Sequence, residues 1–381
     1  FMKILDCTFR DGGYYNNWEF SSEELNQYLN FIKNNPNDII EIGFRFIKNN
    51  TFFGPYAFSS DSFIDKLGLP KTKKISVMIN AKDFFNDYEL INTYFQNKKN
   101  SIVDIVRIAI NFNEFYKGKE ICKRLKTLGY KVGFNLMKSN NIDLDYAKVN
   151  FPIINKWKTV DVLYFADSLG CMDPEQILKL SNLFKKYWKK DFGVHAHNNK
   201  GLATLNTLTA IQGGAKWIDS TILGMGRGAG NALTEGVLME LKKRKLLNKI
   251  NLLPLNSFNL LKDKYKWGYN PYYHFSALNK IHPTYVQTLL EDERYNHQNI
   301  YESLQKLANR DTTNFDQNIL NSNYSSIYNL NFKGEKLPKK IVSMNEVLIL
   351  GSGNSIQRYK DYIEDFITKS KIKCFSLNNN K

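Results

Sequence analysis

Eight short runs rich in β-branched and aromatic residues, each followed by a longer amphipathic stretch, fill the first 245 residues of this chain. The runs predict strands at Lys3–Cys7, Ile39–Phe44, Ile75–Asn80, Ile102–Ile110, Lys131–Met137, Val160–Ala166, Phe192–Ala196 and Trp217–Leu223. Helical spacing recurs around 22–34, 60–67, 84–97, 114–128, 143–157, 174–188, 200–213 and 231–245. In 174–188 the apolar positions Ile177, Leu178, Leu180, Leu183, Phe184 and Tyr187 recur at helical spacing, and Asp173-Pro174 reads as a cap with proline at the first helical position. Gly129 and Gly213-Gly214 read as helix stops. Eight βα units in this length predict an α/β fold, a (β/α)8 TIM barrel. A doubly wound open sheet shares the alternation and is the competing expectation.

A barrel makes a further demand, because its chemistry gathers at the C-terminal ends of several strands. The polar residues fall there. Arg10 and Asp11 follow the first strand, Glu41 lies in the second, and Asn135 and Lys138 lie in and after the fifth, as candidate substrate contacts. Asp167 and Ser168 close the sixth, His195 and His197 the seventh, and a glycine-rich loop follows the eighth. The barrel domain is expected to span 1–245. Residues 246–340 lose the alternation and read as a mainly helical appendage, a lid or a dimerisation region. Residues 341–381 read strand, Gly-Ser-Gly turn, helix, strand, a partial Rossmann-like βαβ segment that is either truncated or packed on the rest.

Composition narrows the partners. The 53 basic and 37 acidic residues give +16, a charge that admits nucleic acid, membrane surfaces or phosphorylated small molecules. The lysines are scattered without a long basic block, so no nucleic-acid partner is expected. No apolar run approaches the roughly 18 residues of a membrane span, so no membrane partner is expected either. Cys7, Cys122, Cys171 and Cys374 fit no zinc spacing and read as free thiols of a cytoplasmic protein.

The strongest local signal is "GVHAHNN" at 193–199. His195 and His197 are two apart on a strand, so both side chains point to one face. Two neutral imidazoles with one carboxylate make a common metal-binding set, and Asp11 supplies the carboxylate if the barrel closes. Without that closure, the pair reads as two histidines satisfied near a strand end. In "GMGRGAGNALTEG" at 224–236, glycines allow close backbone approach and Asn231 is expected to begin a helix. Two readings of this loop stand side by side. One is a plain capped turn; in the other, helix-terminal N–H groups face an anion and Asn231 sits close to the metal.

Three motifs, "LDCTFRDGG", "HAHNNKGLA" and "GMGRGAGN", resemble those of the DRE-TIM metallolyase superfamily, which includes hydroxymethylglutaryl-CoA lyase, 4-hydroxy-2-oxovalerate aldolase and isopropylmalate synthase. "IIEIGF" and "FADSLGCMDP" extend the likeness, which covers residues 3–236. The resemblance implies a divalent metal on Asp11, His195 and His197, with Asn231 as a fourth ligand; magnesium or manganese is preferred, and zinc or cobalt also suits two imidazoles. It implies Arg10 facing an enolate oxygen, Glu41 holding Arg10 by a bidentate ion pair, and Ser168 bonding a substrate carboxylate or carbonyl. The implied activity is an aldolase-type carbon–carbon lyase, or condensing enzyme, acting on a 2-keto acid or related hydroxy-carbonyl compound as a homodimer. An acyl-CoA-dependent Claisen synthase and a non-catalytic barrel scaffold are the alternatives.

The departures matter as well. Tyr14 stands where the aldolases carry a histidine base, and a phenol titrating near 10 is a poor unassisted base. Tyr15, His274, His282 or a metal-bound water could replace it, and the two histidines are also candidate substrate contacts. "GMGRGAG" lacks the cysteine of the CoA-thioester lyase loop, and Asn199 replaces an aspartate common among relatives.

Overall fold

The eight apolar runs form β1 (Lys3–Asp6), β2 (Ile39–Phe44), β3 (Lys74–Asn80), β4 (Ile105–Asn111), β5 (Lys131–Met137), β6 (Val162–Asp167), β7 (Phe192–Ala196) and β8 (Trp217–Ser220). In this computed structural model, described for residues 2–47, 53–292, 295–320, 347–350, 359–370 and 373–376, they pair in sequence order and close into a barrel. Closure is a parallel ladder from Lys3 opposite Trp217 to Asp6 opposite Ser220, which excludes the open sheet. The chain divides into two units, Phe1–Ile327 and Tyr328–Lys381.

Flanking helices are α2 (Ser22–Asn34), α3 (Asp61–Asp65), α4 (Leu90–Tyr94), α5 (Gly118–Thr127), α6 (Leu144–Trp157), α7 (Pro174–Tyr187), α8 (Ala203–Gln212) and α9 (Thr234–Lys243). Asp173 caps α7 in a reciprocal box with Gln176, and Gly213 ends α8, as the sequence predicts. Two expectations need correction. The 84–97 helix survives only as α4 after a short 3-10 turn, because the Asp87 carboxylate takes the Glu89 N–H at 2.8 Å and sets a local turn instead. The segment 8–16, read as a strand-end motif, is helix α1 (Thr8–Asn16). Its two glycines cost helix propensity, but they admit close packing. A Cβ at Gly12 would lie 2.8 Å from Met225 Sδ, and one at Gly13 would lie 2.1 Å from the Trp18 indole.

The interior is layered. Ile39, Ile105, Val162 and Trp217 come from alternate strands and pack as an apolar cluster with Leu5, Cys7 and Tyr164. Two residues further along the same four strands stand Glu41, Arg107, Tyr164 and Asp219, all buried. Three of those four residues are charged. Arg107 Nη1 lies 3.0 Å from both Glu41 oxygens, Nη2 lies 2.5 Å from Asp219 Oδ2, and the guanidinium sits 4.2 Å above the Tyr164 ring. Glycines on the intervening strands make the room. A Cβ at Gly133 would come within 2.9 Å of the Arg107 stem, and one at Gly193 within 2.4 Å of the Tyr164 ring.

Asp6, the last residue of β1, is fully buried and accepts from Thr8 N and Thr234 Oγ1. Burial outweighs those bonds and pushes its carboxyl up to about 6. A carboxyl raised in the folded state holds its proton there longer than in the unfolded chain. Its contribution is therefore most favourable below about pH 4 and is lost as pH rises through about 6. Between pH 4 and pH 7 the stability of the parent chain relative to Asp6→Asn is expected to fall by roughly 2 kcal/mol. Denaturant titrations of both proteins at the two pH values measure it, and a constant difference refutes it.

Beyond the barrel, α10 (Asn256–Tyr265), α11 (Pro271–Leu278), α12 (Pro283–Glu291) and α13 (His297–Ala308) form the helical appendage. It bears on α1 and on the loop after β8. Trp267 Nε1 donates to Leu223 O at 2.9 Å, and Gln287 Nε2 donates to Tyr14 O at 3.2 Å. In the second unit, β9 (Val347–Leu350) and β10 (Lys373–Ser376) pair in parallel, with α14 (Lys360–Ser370) between them in sequence. The Gly-Ser-Gly turn expected at 351–353 lies outside the described residues. No helix among the described residues is long and apolar enough to cross a membrane.

Candidate metal centre

Strand β1 delivers Arg10 and Asp11 into the first turns of α1, where Asp11 N donates to Cys7 O. Strand β7 carries His195, and His197 follows in an isolated bridge with Asn231. Closure brings them together: the ligand atoms of Asp11, His195 and His197 lie within 4.8 Å of one another. Asp11 Oδ2 is 3.4 Å from His195 Nε2 and 3.7 Å from His197 Nε2.

The hydrogen bonds fix both tautomers. His195 Nδ1 is 3.0 Å from an Asp219 carboxylate oxygen, and His197 Nδ1 is 3.0 Å from the Asp167 carbonyl. Neither oxygen can donate, so each Nδ1 carries a proton, and in the neutral ring each Nε2 presents a lone pair. Both Nε2 atoms are buried without a hydrogen-bond partner, and so is Asn231 Oδ1. Burial, with Arg227 and His195 nearby, pulls His197 down to about 3 and keeps it neutral. Burial opposes charge on Asp11 too, but Arg10, and after it His195, overcome it and hold that carboxyl well below the usual range. The network formed by Arg10, Asp11, Glu41, Arg107 and Asp219 has three carboxylates and two guanidiniums. Burial opposes charge on His195, but Asp11 and Asp219 overcome it and raise that ring, so a cation would compete with a proton for its Nε2. One anion and two imidazole Nε2 atoms turned toward it fit a divalent cation.

Arg10 Nε donates to Glu41 at 2.7 Å and Nη1 to Asp11 at 2.8 Å, while Nη2 is buried and unpartnered. The expected bidentate pair between Arg10 and Glu41 is thus corrected to a single bond. Glu41 accepts from Arg107 through both oxygens, and Asp11 claims the second Arg10 nitrogen. Asn231 does not begin a helix either. Its amide donates to Asp11, and α9 starts at Thr234.

Other candidates scatter. Asn135 is buried and accepts from Arg107 Nε at 3.3 Å. Ser168 Oγ accepts from Lys138 N at 3.0 Å, and Lys138 Nζ donates to Asn314 at 2.7 Å. Tyr14 is pushed up by burial and stays protonated, which weakens it further as a base. Tyr15 donates to Gly228 O and meets Tyr273, so its hydroxyl is committed. His274 has its hydrogen bond and its ring contact with Tyr269 on the appendage. His282 caps α12, and its Nδ1 accepts from Thr284 N. Asn199 donates to Leu169 O at 2.8 Å and accepts from Ala229 N at 3.1 Å. An aspartate could not make the first bond, so the amide suits this pair of loops.

Arg107 and Asp219 escape a reading by strand ends because they lie inside apolar runs, "IVRIAI" and "WIDS". The available signal is a charge at an inward strand position, where burial without a partner costs several kcal/mol.

Comparison with known proteins places the chain among enzymes of one family. A family model described as HMGL-like matches residues 64–260. A 4-hydroxy-2-oxovalerate aldolase from Pelotomaculum thermopropionicum is 28% identical over 246 residues, 64% of this chain and 70% of that protein. An oxaloacetate decarboxylase from Mycobacterium tuberculosis is 25% identical over 65% of this chain and 72% of that protein. The crystal structure of the N-terminal domain of a Bacteroides vulgatus protein, provisionally described as an aldolase, superposes with a TM-score of 0.69 at 33% identity, covering 79% of this chain and all of that domain.

Proposed function

The chain belongs to the HMGL-like family of the DRE-TIM metallolyase superfamily, and from that premise we propose that it is a divalent-metal-dependent carbon–carbon lyase of aldolase type acting on a 2-keto acid. The observation that carries the reading is the pair of buried, unpartnered imidazole Nε2 atoms facing Asp11. Asp11, His195 and His197 would hold the cation, with Asn231 Oδ1 as a further donor. Bound there, magnesium or manganese (zinc or cobalt as alternatives) supplies Lewis acidity toward the keto acid's oxygens.

This chain's own groups do the rest. Asp219 and the Asp167 carbonyl orient the two imidazoles. Glu41 and Asp11 fix Arg10, leaving Nη2 as a preorganised donor for negative charge on the keto oxygen. Tyr14 Oη keeps its proton at neutral pH and is suited to return a proton rather than to abstract one. The partner is a small molecule, and no nucleic acid or membrane is required.

The full chain with manganese or magnesium is expected to split a 4-hydroxy-2-oxo acid to pyruvate and an aldehyde without CoA. A chelator is expected to stop it and added metal to restore it. Asp11→Asn and His195→Ala are expected to lose bound metal by elemental analysis. Unchanged metal in both variants defeats the site, and a strict need for an acyl-CoA moves the chain to the condensing synthases.

A further inference from the structure

The loop after β8 carries a cation that the keto-acid chemistry does not use. Gly226, just before Arg227, lies so close to Asn231 that a Cβ there would come within 2.9 Å of its amide. The Arg227 guanidinium stands 5.4 Å from the Tyr14 ring centroid, and Nη2 reaches the Ser168 carbonyl at 3.4 Å. Its Nε is buried without a partner. Lys138 converges from the other side, its backbone N–H on Ser168 Oγ at 3.0 Å and its ammonium on the neutral Asn314 amide at 2.7 Å. No carboxylate forms an ion pair with Arg227 or Lys138 among the described residues.

His282 completes the rim. Pro283, its neighbour, packs where a Cβ on Gly228 would lie, 2.6 Å away. Its Nδ1 accepts from Thr284 N at 3.3 Å, so in the neutral ring the proton sits on Nε2. Burial, then Arg227, Lys138 and His197, hold that ring neutral. The carboxylates within electrostatic reach are engaged elsewhere: Asp11 with Arg10 and Asn231, Asp311 with Thr313. Two cations and an imidazole N–H share a partly covered rim on which, among the described residues, no carboxylate is ion-paired to either cation, an arrangement that attracts an anionic ligand group.

Resting on the keto-acid reading, the geometry points to a second anion subsite, built on Arg227 and Lys138 with His282 beside them, that takes a carboxylate or phosphate at the far end of the substrate. The natural substrate is then a 2-keto acid with two anionic ends, its head at the metal set and its tail at this rim. Arg227 is the specificity-determining residue.

Three matched ligands test it: 2-oxopentanoate, 2-oxoglutarate and 2-oxo-4-phosphonobutanoate, which differ only in a terminal methyl, carboxylate or phosphonate. Calorimetric titration into the metal-loaded full chain is expected to show one of the two doubly anionic acids binding about 10- to 100-fold tighter than 2-oxopentanoate. Which of them wins distinguishes a carboxylate from a phosphate terminus. In Arg227→Met the ratio is expected to fall to within about threefold, with Arg227→Lys between. Lys138→Met serves if the first variant melts early. Equal binding of all three acids by the parent chain, or a ratio undiminished in both methionine variants, overturns the subsite alone. Binding of none of them overturns the keto-acid reading, and the subsite with it.

Discussion

Arg10→Ala is expected to keep its divalent metal and to exchange the methyl protons of pyruvate with solvent roughly two to three decades more slowly than the parent chain. Removing one preorganised donor to developing negative charge costs about 3–4 kcal/mol in comparable sites. Metal should survive because Asp11, His195 and His197 are untouched, and Asp11 keeps its bond from Asn231. Glu41 keeps its bonds from Arg107. Arg10→Lys should fare little better, since an ammonium can meet Glu41 or Asp11 but brings no third nitrogen in the position of Nη2. Proton exchange followed by NMR, with metal analysis on the same samples, decides the matter. Exchange within a few fold of the parent rate removes Arg10 from the chemistry.

Glu41→Gln should damage the fold as severely as Arg10→Ala damages the chemistry. The carboxylate sits at the junction of two buried guanidiniums, with Arg10 Nε 2.7 Å and Arg107 Nη1 3.0 Å away. Taking one partner from a buried charge network typically costs about 3–5 kcal/mol, because the remaining charge cannot regain its water. A loss of that size in urea unfolding is expected for Glu41→Gln and for Arg107→Met, measured on metal-free protein. The double variant should lose less than the sum, since each change removes the other's stranded charge. A loss below about 1 kcal/mol in both single variants contradicts the charged layer.

Much of this was legible in the residues. His195 and His197, two apart on a strand, report their shared face directly, and eight βα units place Asp11 opposite them once the ring closes. Other features depend on contacts that no local pattern records. Helix α1 forms over two glycines because Met225 and Trp18 fill the space beside them. Asn231 is taken by Asp11 rather than by a helix terminus. Glu41 looks like a partner of Arg10 alone until Arg107 arrives from a strand that reads as ordinary apolar sequence. In each case tertiary packing overrides the short-range preference.

Asp219 Oδ2 serves two masters at once, Arg107 below and His195 above. That single shared atom has an evolutionary consequence. A descendant that abandoned its reaction would still need Glu41, Arg107 and Asp219 to fold, and selection for solubility alone would preserve them. Their persistence among relatives therefore says little about whether those relatives still turn over a substrate. Decay would surface first at His197, whose inward Nε2 has no hydrogen-bond partner in the fold and no part in the charged layer.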